Sequence, residues 1–338
     1  MTLLSPAPSA RPAQRLWCVG VATIILAFLF LTSTSGHAGE TDQFLTWNIE
    51  LEDSAEAFNV FLDQEIHRFV ERANQKKRRV PDTIALTKEL YRYLFQGLHA
   101  SRVRYWLKHD DTVDRYPSDD LSDLAYQRIS IFRKPAFPFL LPMAQTVRIG
   151  GVYCGIDKIG HMLGFGRRYF QIYYRHRDQR MAHKEAVEKV IQWGIQHETN
   201  LVGKLVDGIF SHGDMEANYQ GFRMALAFCQ GDNPLFYRED GRWKYRGGLD
   251  IRDYVTPDFD ESYNPNHYAS WRHRRVAPVL SGDYGDSYTA PIVQRRFERY
   301  RTEWEPSLSK KLIDAHFDAL KNNPQHSCWS KTECDAHS

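Results

Sequence analysis

Apolar residues recur along most of the chain at the three- and four-residue spacing of a helix face. The pattern predicts a helix from Asp53 to Gln75, with Asp53 or Ser54 as its N-cap, and a second helix from Thr83 to Leu98. The apolar face of the first helix contains Phe58, Phe61, Leu62, Ile66, Phe69 and Val70.

Three further helices are predicted in close succession, near residues 157–175, 183–206 and 212–229. A final helix is predicted from about residue 292 to residue 321, with a bend at Pro306. Together these segments predict a mainly α-helical fold with a bundle-like core.

The pattern changes after Cys229. Two short aromatic runs flank Asp240 and Gly241, which is the signature of a β-hairpin. Residues 247–291 are rich in Gly, Pro, Asp, Asn and Tyr and show no clear period. Their Tyr and Trp content favours a long ordered loop region packed over the helices rather than disorder.

The beginning of the chain has the pattern of a secretory signal peptide. Residues 1–38 contain two arginines and no acidic residue, then an apolar run from Leu16 to Leu31, then small residues up to Ala38. We expect cleavage after Ala38 and a periplasmic or secreted protein. The alternative is an uncleaved N-terminal membrane anchor, although the apolar run is short for a membrane span.

The expected domain organisation follows from these boundaries. A helical core with the candidate site spans residues 39–230, and residues 231–338 supply the hairpin, the ordered loops and the C-terminal helix packed on that core. Removal of residues 1–38 leaves 42 basic and 42 acidic residues. This balance gives no support to binding of nucleic acid or of an anionic membrane by bulk charge. It leaves an envelope lipid or glycan as the expected partner and the oligomeric state open.

Four cysteines remain after the signal peptide. In an oxidising compartment they allow three disulfide pairings. The short spacing of Cys328 and Cys334 in a polar tail favours a local bridge between them. Cys154 and Cys229 are then paired by elimination only.

Ionisable residues occupy positions in the three central helices where apolar residues are expected. Asp157, His161, Gly164 and Arg168 recur at i, i+4, i+7 and i+11 and line one helical face. Glu198 falls on a stripe otherwise made of Val, Ile, Gly and Leu. A carboxylate there must be paired, be protonated or face a cleft. A salt bridge to Arg167 or Arg168 is the structural explanation, and a general acid or a metal ligand is the functional one.

The start of the third helix is densely polar. His212 and Glu216 repeat the one-turn spacing of Asp157 and His161, and two helices that each offer a histidine and a carboxylate are a common way to build a helical metal site. A structural alternative exists, since Ser211 and Asp214 have the spacing of a helix-capping box. Asp214 and Asn218 are assigned to a surrounding polar network.

Two short motifs carry resemblances to known families. The pattern DKxGH from Asp157 to His161, followed by SxxDxEAN from Ser211 to Asn218, resembles a group of uncharacterised exported bacterial proteins. That resemblance implies an envelope location and no particular activity. The ligand chemistry is similar to that of zinc-dependent phospholipases C, which are exported all-helical hydrolases. This chain departs from them because it has fewer histidines and lacks their N-terminal tryptophan ligand, which puts a three-metal site in doubt.

The sequence therefore predicts an exported cell-envelope protein that hydrolyses a phospholipid or a glycan ester with the help of a divalent metal such as zinc. In this hypothesis Glu198 is the general base that activates a metal-bound water, and Arg168 steadies an anionic group. The competing hypothesis is a non-catalytic periplasmic binding or assembly protein in which the same residues form a buried polar network. The predicted metal ligands are Asp157, His161, His212 and Glu216.

Overall fold

The computed structural model describes residues 39–76, 79–96, 100–117, 121–134, 141–199, 208–321 and 329–331. Within those ranges the chain forms ten α-helices and several short antiparallel strands, which confirms the prediction of a mainly α-helical fold. None of the helices in these ranges combines the length and the apolar character needed to cross a bilayer. The predicted signal peptide, residues 1–38, lies outside the described residues.

The helices differ widely in length, from seven to 23 residues. They are α1 Ala55–Gln75, α2 Thr83–Leu94, α3 Arg102–His109, α4 Asp123–Ile129, α5 Ile156–Asp178, α6 His183–His197, α7 His212–Ala227, α8 Ser270–Asp283, α9 Pro291–Glu303 and α10 Leu308–Lys321.

The strands pair in four small antiparallel sheets with the orders β1-β2, β3-β4-β5, β10-β9-β6 and β7-β8. They are β1 Phe95–Gln96, β2 Ala100–Ser101, β3 Arg115–Tyr116, β4 Thr146–Ile149, β5 Val152–Gly155, β6 Ile209–Phe210, β7 Phe236–Glu239, β8 Arg242–Tyr245, β9 His267–Ala269 and β10 Trp329–Lys331.

The first two helices each begin after an aspartate whose carboxylate accepts a backbone N–H of the first turn. Helix α1 follows Asp53 and Ser54, and the Asp53 carboxylate accepts the Ala55 N–H at 2.9 Å. Helix α2 begins after Asp82, whose carboxylate accepts the Ala85 N–H at 2.7 Å. It ends at Leu94 and continues into β1, so it is shorter than predicted.

Helices α5 and α7 pack with their backbones almost in contact. A Cβ atom added to Gly221 would lie 2.0 Å from the Met162 carbonyl oxygen, and one added to Gly166 would lie 2.8 Å from the Gly221 backbone. Only glycine permits this approach. The close packing brings the polar residues at the start of α7 against the first turns of α5.

The helix predicted from residue 183 to residue 206 is confirmed only in its first part, which is α6. It ends at His197, and the chain is described as far as residue 199. The predicted continuation to residue 206 lies outside the described residues. Glu198 directly follows the helix and is half-buried, so the prediction of a core position for it was wrong.

The hairpin prediction is confirmed. Strands β7 and β8 pair around Asp240 and Gly241, which have φ angles of 49° and 73°. A turn that needs two consecutive positive φ angles favours this residue pair. The hairpin packs on α1, where the Trp243 N–H donates to the Asn74 side-chain oxygen at 2.8 Å.

The region predicted as a continuous ordered loop contains a helix, α8, and the prediction was wrong there. Its pattern is obscured because Arg272 is fully buried on the inner face and Pro278 lies inside the helix. Proline normally interrupts a helix, and a buried arginine breaks the apolar stripe that predicts one.

The predicted C-terminal helix is two helices. Helix α9 ends at Glu303, Trp304 adopts an extended conformation with φ −128° and ψ 141°, and α10 begins at Leu308. The residue before a proline, and the proline itself, disfavour continuation of a helix. Pro306 therefore lies in a complete break rather than in a bend.

Cys154 and Cys229 are not joined, so the pairing by elimination was wrong. Both cysteines are free thiols; Cys154 is buried on β5, opposite Val147 of β4, and Cys229 lies just beyond the C-terminus of α7, 3.4 Å from the Tyr174 hydroxyl. Cys154 precedes the start of α5, which packs against the start of α7. Because a 16-residue helix is about 24 Å long, Cys229 is too far away for a disulfide. Cys328 and Cys334 lie outside the described residues.

Candidate functional site

The candidate site lies where the first turn of α5 meets the N-terminus of α7. Helix α7 begins after Ser211, whose hydroxyl oxygen accepts the Asp214 N–H at 2.9 Å. The structural alternative for Ser211, that it caps this helix, is therefore confirmed. A third segment, which follows the short 3₁₀ helix Pro257–Phe259, places Glu261 beside these two helices.

Lys158 is the centre of the site. Its side chain is 0% exposed, and its Nζ atom lies 2.7 Å from Asp157 Oδ2, 2.8 Å from Asp214 Oδ1 and 2.7 Å from Glu261 Oε1. An ammonium group has three N–H donors, so three carboxylates satisfy it completely. We call Asp157, Lys158, Ser211, Asp214 and Glu261 the Lys158 cluster.

Hydroxyl groups hold the carboxylates of the Lys158 cluster in place. The Thr41 hydroxyl donates to the second oxygen of Asp157. The Ser211 hydroxyl donates to Glu261 Oε1 at 2.5 Å while its oxygen accepts the Asp214 backbone N–H. Every carboxylate of the cluster thus has its orientation fixed by at least two donors, which is the arrangement expected of a satisfied buried network.

His161 lies at the edge of the cluster, one turn of α5 after Asp157. Its Nε2 atom is 3.2 Å from Asp214 Oδ2, and its Nδ1 atom is 3.2 Å from Asn218 Oδ1. A ring protonated on both nitrogens satisfies both oxygens. The side chains of His161 and Asp214 are each 10% exposed, so the edge of the cluster is also buried.

Positive side chains offset the negative charge of the cluster. Three carboxylates face the Lys158 ammonium, the His161 ring and the Arg104 guanidinium, whose charge interacts with Asp157. Arg104 approaches α5 closely, because its Cδ atom would lie 3.3 Å from a Cβ added to Gly160. The negative charge of the buried Glu40 also acts on Lys158, so the two cations Lys158 and Arg104 offset part of the carboxylate charge around the cluster.

The pKa directions follow from this arrangement. Burial raises the pKa of Glu261, and the negative charges of Asp214 and Asp157 add to this against the attraction of Lys158. Burial would also raise the pKa of Asp214, but the positive charges of His161 and Lys158 outweigh it and hold that pKa below its usual value. Burial opposes the charged form of Lys158, yet its three carboxylates raise the pKa of the ammonium well above its ordinary value. Lys158 is therefore a permanent cation.

The structure brings together some of the predicted site residues and not others. Asp157 and His161 meet Asp214 and Asn218, as one face of each helix requires. Lys158 and Glu261 were missed. The signal for Lys158 was its position beside Asp157 in a helix with an ionisable core face, whereas Glu261 lies in a segment without period.

His212 and Glu216 point away from the cluster. His212 Nε2 contacts His267 Nδ1 at 2.8 Å, and Glu216 accepts hydrogen bonds at 2.6 Å from both Gln220 and Ser307. Residues two positions apart on a helix differ by about 200° around its axis. The pair at positions 212 and 216 therefore faces the opposite side of α7 from Asp214.

The four predicted metal ligands thus do not converge. Among the residues that the structure describes, no group of three or more His, Cys, Asp or Glu side chains is arranged to hold a metal ion. Where Asp157, Asp214 and Glu261 meet, the space between their oxygens is occupied by the Lys158 ammonium.

Glu198 and Arg168 lie outside the cluster. The Arg168 side chain is exposed and its guanidinium carbon is 5.7 Å from the centre of the Trp193 ring. Glu198 lies near Tyr169. Burial raises the pKa of the Tyr169 phenol, and the negative charge of Glu198 raises that pKa further.

The chain matches no protein-family model, no curated protein sequence and no solved structure. Function is therefore inferred from the geometry of the molecule itself.

Proposed function

We propose that the protein is an exported cell-envelope protein of the non-catalytic binding or assembly class, in which the Lys158 cluster is structural. The observation that carries this proposal is the fully buried Lys158 ammonium, within 2.8 Å of three carboxylate oxygens. A buried charge network whose donors and acceptors are all engaged fixes a single arrangement of its elements. Within the described residues, the polar groups of the cluster contact one another, which supports a structural role.

The ammonium also argues against a metal at the same position. Divalent metals bind carboxylate oxygens at about 2.0 to 2.2 Å, and the lysine nitrogen already fills the space among the three oxygens. A second cation would have to displace it or lie beside it against strong repulsion. Lys158 therefore holds three carboxylates together, as a structural metal ion does in other proteins.

The cluster joins parts of the chain that are far apart in sequence. Thr41 brings in the N-terminal segment, Asp157 and Lys158 bring in α5, Asp214 brings in α7, and Glu261 brings in the segment after the 3₁₀ helix. Removal of the central cation would take away the common partner of Asp157, Asp214 and Glu261. This is the property expected of a device that holds a binding scaffold rigid.

The envelope location is supported by the fold at the predicted cleavage site. The Glu40 N–H donates to the Pro142 carbonyl at 2.8 Å, so the residues directly after the predicted cleavage site belong to the folded core. N-terminal sequencing and intact-mass measurement of the exported protein should give Gly39 as the first residue. A protein that retains residues 1–38 would instead be membrane-anchored.

The non-catalytic assignment is tested by metal analysis, chelation and hydrolase assays on the purified mature chain. We expect less than stoichiometric metal, an unchanged melting temperature after chelator treatment, and no turnover of phospholipid or glycan-ester substrates. Stoichiometric metal whose removal lowers the melting temperature, or turnover that His161→Ala abolishes in a folded protein, would overturn the proposal.

Metal-assisted hydrolysis of an envelope phospholipid or glycan ester is the second candidate function. It is favoured by one observation, the His161 ring held at 3.2 Å by the Asp214 carboxylate at the edge of the cluster. A carboxylate that orients a histidine is a common arrangement for a general base or a metal ligand. In this candidate His161→Ala removes activity while Glu198→Gln tests the predicted base separately.

A further inference from the structure

A strip of positive charge lies on the outer side of α5, away from the Lys158 cluster. It is formed by Lys88 and Arg92 on α2 and by Arg167 and Arg168 on α5. Arg92 and Arg168 are exposed, while Lys88 and Arg167 are half-buried. We call these four residues the basic strip.

The packing of α2 against α5 places the four cations side by side. A Cβ added to Gly164 would lie 3.2 Å from the Phe95 ring at the end of α2. In the opposite direction along α2, the Lys88 ammonium lies 6.0 Å from the centre of the Tyr174 ring. The two helices therefore run antiparallel, and Arg92, between Phe95 and Lys88, lies beside Arg167.

The basic strip lacks the carboxylates that surround Lys158. Among the described residues, none of its four cations forms an ion pair with an acidic side chain; Arg168 instead lies over the Trp193 ring. The acidic residue between Lys88 and Arg92 in sequence, Glu89, is engaged by Lys76 at 2.5 Å. Partial burial lowers the pKa of Arg167, and the charges of Arg92 and Arg168 lower it further.

We propose that the basic strip binds a phosphoryl group, with Arg92 and Arg167 as the principal ligands and Lys88 and Arg168 at its two ends. Guanidinium groups present paired N–H donors that match the oxygens of a phosphate. Half-burial of Arg167 between two other arginines costs stability unless an anion offsets the repulsion. The site thus gives the predicted anion-steadying role of Arg168 a set of partners.

Charge and shape favour a phosphoryl group over a carboxylate. Three guanidinium groups and one ammonium present four positive charges, and a phosphate monoester carries about −1.5 to −2 with three accepting oxygens. A single carboxylate offers one charge and two oxygens. The phosphoryl group can belong to a lipid headgroup or to a soluble phosphate, and the experiment separates these two sources.

The test compares the full mature chain with Arg92→Gln/Arg167→Gln and with Arg242→Gln, which removes an exposed arginine on the separate hairpin. Melting temperature and calorimetric titration are measured with inorganic phosphate, against sodium chloride of equal ionic strength. Sedimentation is measured with vesicles of phosphatidylcholine alone and with added phosphatidic acid. All three proteins keep the Lys158 cluster, so failure here is distinct from failure of the structural role proposed for that cluster.

We expect phosphate, or phosphatidic acid vesicles, to bind the wild type and Arg242→Gln at least tenfold more tightly than the double variant. Saturable binding of inorganic phosphate identifies a soluble ligand, and binding confined to phosphatidic acid vesicles identifies a lipid headgroup. Without phosphate at low salt, the double variant should melt at or above the wild-type temperature. Equal responses to phosphate and chloride, equal binding by the double variant, or no binding of either probe would overturn the proposal.

Discussion

Helix α5 has cations on two sides whose surroundings differ: Lys158 faces carboxylates, and Arg167 faces other arginines. On its inner side the Lys158 ammonium is fully buried and meets three carboxylates. On its outer side Arg167 is only half-buried and its charged neighbours are further arginines. Among the described residues, one helix thus contains a cation that is paired with carboxylates and cations that are not.

The difference indicates what each region is for. Buried charges survive in a fold only when they are paired, so the Lys158 cluster is explained by the protein alone. Cations gathered without counter-charges are explained only with a partner from outside. Paired charge marks structure here, and unpaired charge marks a binding surface.

The strongest way to break this comparison is to remove the central cation. Lys158→Met leaves three buried carboxylates without their common partner, so we expect the free energy of unfolding to fall by about 3 to 5 kcal/mol. Lys244→Met, at a side chain 45% exposed, should change it by less than about 0.5 kcal/mol. Urea unfolding of both variants measures the difference.

A double-variant cycle sharpens the same result. Adding Glu261→Gln to Lys158→Met removes one stranded carboxylate and should restore part of the lost stability, whereas Glu261→Gln alone should destabilise. Additive effects of the two substitutions would contradict the direct pairing of Lys158 with Glu261.

The second prediction tests whether the cluster depends on the close approach of α5 and α7. Gly221→Ala places a Cβ 2.0 Å from the Met162 carbonyl oxygen, so the helices must separate, and we expect a loss of about 3 kcal/mol. Gly282→Ala, in α8 with no atom within 4 Å of the added Cβ, should be neutral or stabilising by up to about 1 kcal/mol. A tolerated Gly221→Ala would mean that the two helices are less tightly joined than described.

The third prediction concerns pH and Asp42, which interacts with Glu261 of the cluster. Burial raises the pKa of Asp42 from 3.8 to about 7, against hydrogen bonds from the Ile131 and Phe44 N–H groups. Between these values the folded state holds one proton more than the unfolded state. Stability should therefore fall as pH rises towards 7, by up to about 1.4 kcal/mol per pH unit.

Asp42→Asn should remove this part of the slope, although it also weakens the two backbone contacts and lowers stability overall. Glu261 contributes a slope of the same sign because its pKa is also raised, while Asp214 contributes the opposite sign at lower pH. Exposed Asp232→Asn should retain the wild-type slope. An identical slope in Asp42→Asn would contradict the assignment.

The smallest expected effect is the salt dependence of the basic strip. Exposed like charges repel by about 0.2 to 0.5 kcal/mol per pair and are screened by salt. Raising sodium chloride from about 20 to about 500 mM should therefore stabilise the wild type more than Arg92→Gln/Arg167→Gln, by about 0.5 kcal/mol. Equal salt responses would mean that the strip is not under repulsion.

Local patterns in the sequence were sufficient for the long helices and the hairpin, whereas the short helices α3 and α4 were not predicted. The apolar stripes of α1 and α2, the cap of α1 and the Asp240-Gly241 turn are determined by neighbouring residues, so they were predictable. Helix α8 was not predictable, because Arg272 occupies a buried position where an apolar residue is expected. Only tertiary contacts make an arginine tolerable there. The break at Pro306 was located, but its extent depends on how α9 and α10 pack.

The candidate site was predictable only in part, for a related reason. Helical spacing placed Asp157 and His161 on one face, but it did not say which face of α7 they meet. His212 and Asp214 are two residues apart and end on opposite sides of that helix. Glu261 comes from a segment whose position no local pattern determines.

The wide sequence separation of the partners in the Lys158 cluster has a consequence for the order in which the chain becomes stable. Thr41 is 116 residues from Asp157, and the Gln43 amide, which donates to the Phe259 carbonyl, is 216 residues from it. Synthesised from its N-terminus, the chain presents Thr41 and Gln43 long before the residues that secure them. The polar groups of this segment stay hydrated until the chain has been synthesised as far as residue 261, which completes the cluster. Late closure of such long loops slows folding and extends the time during which the chain depends on protection from aggregation.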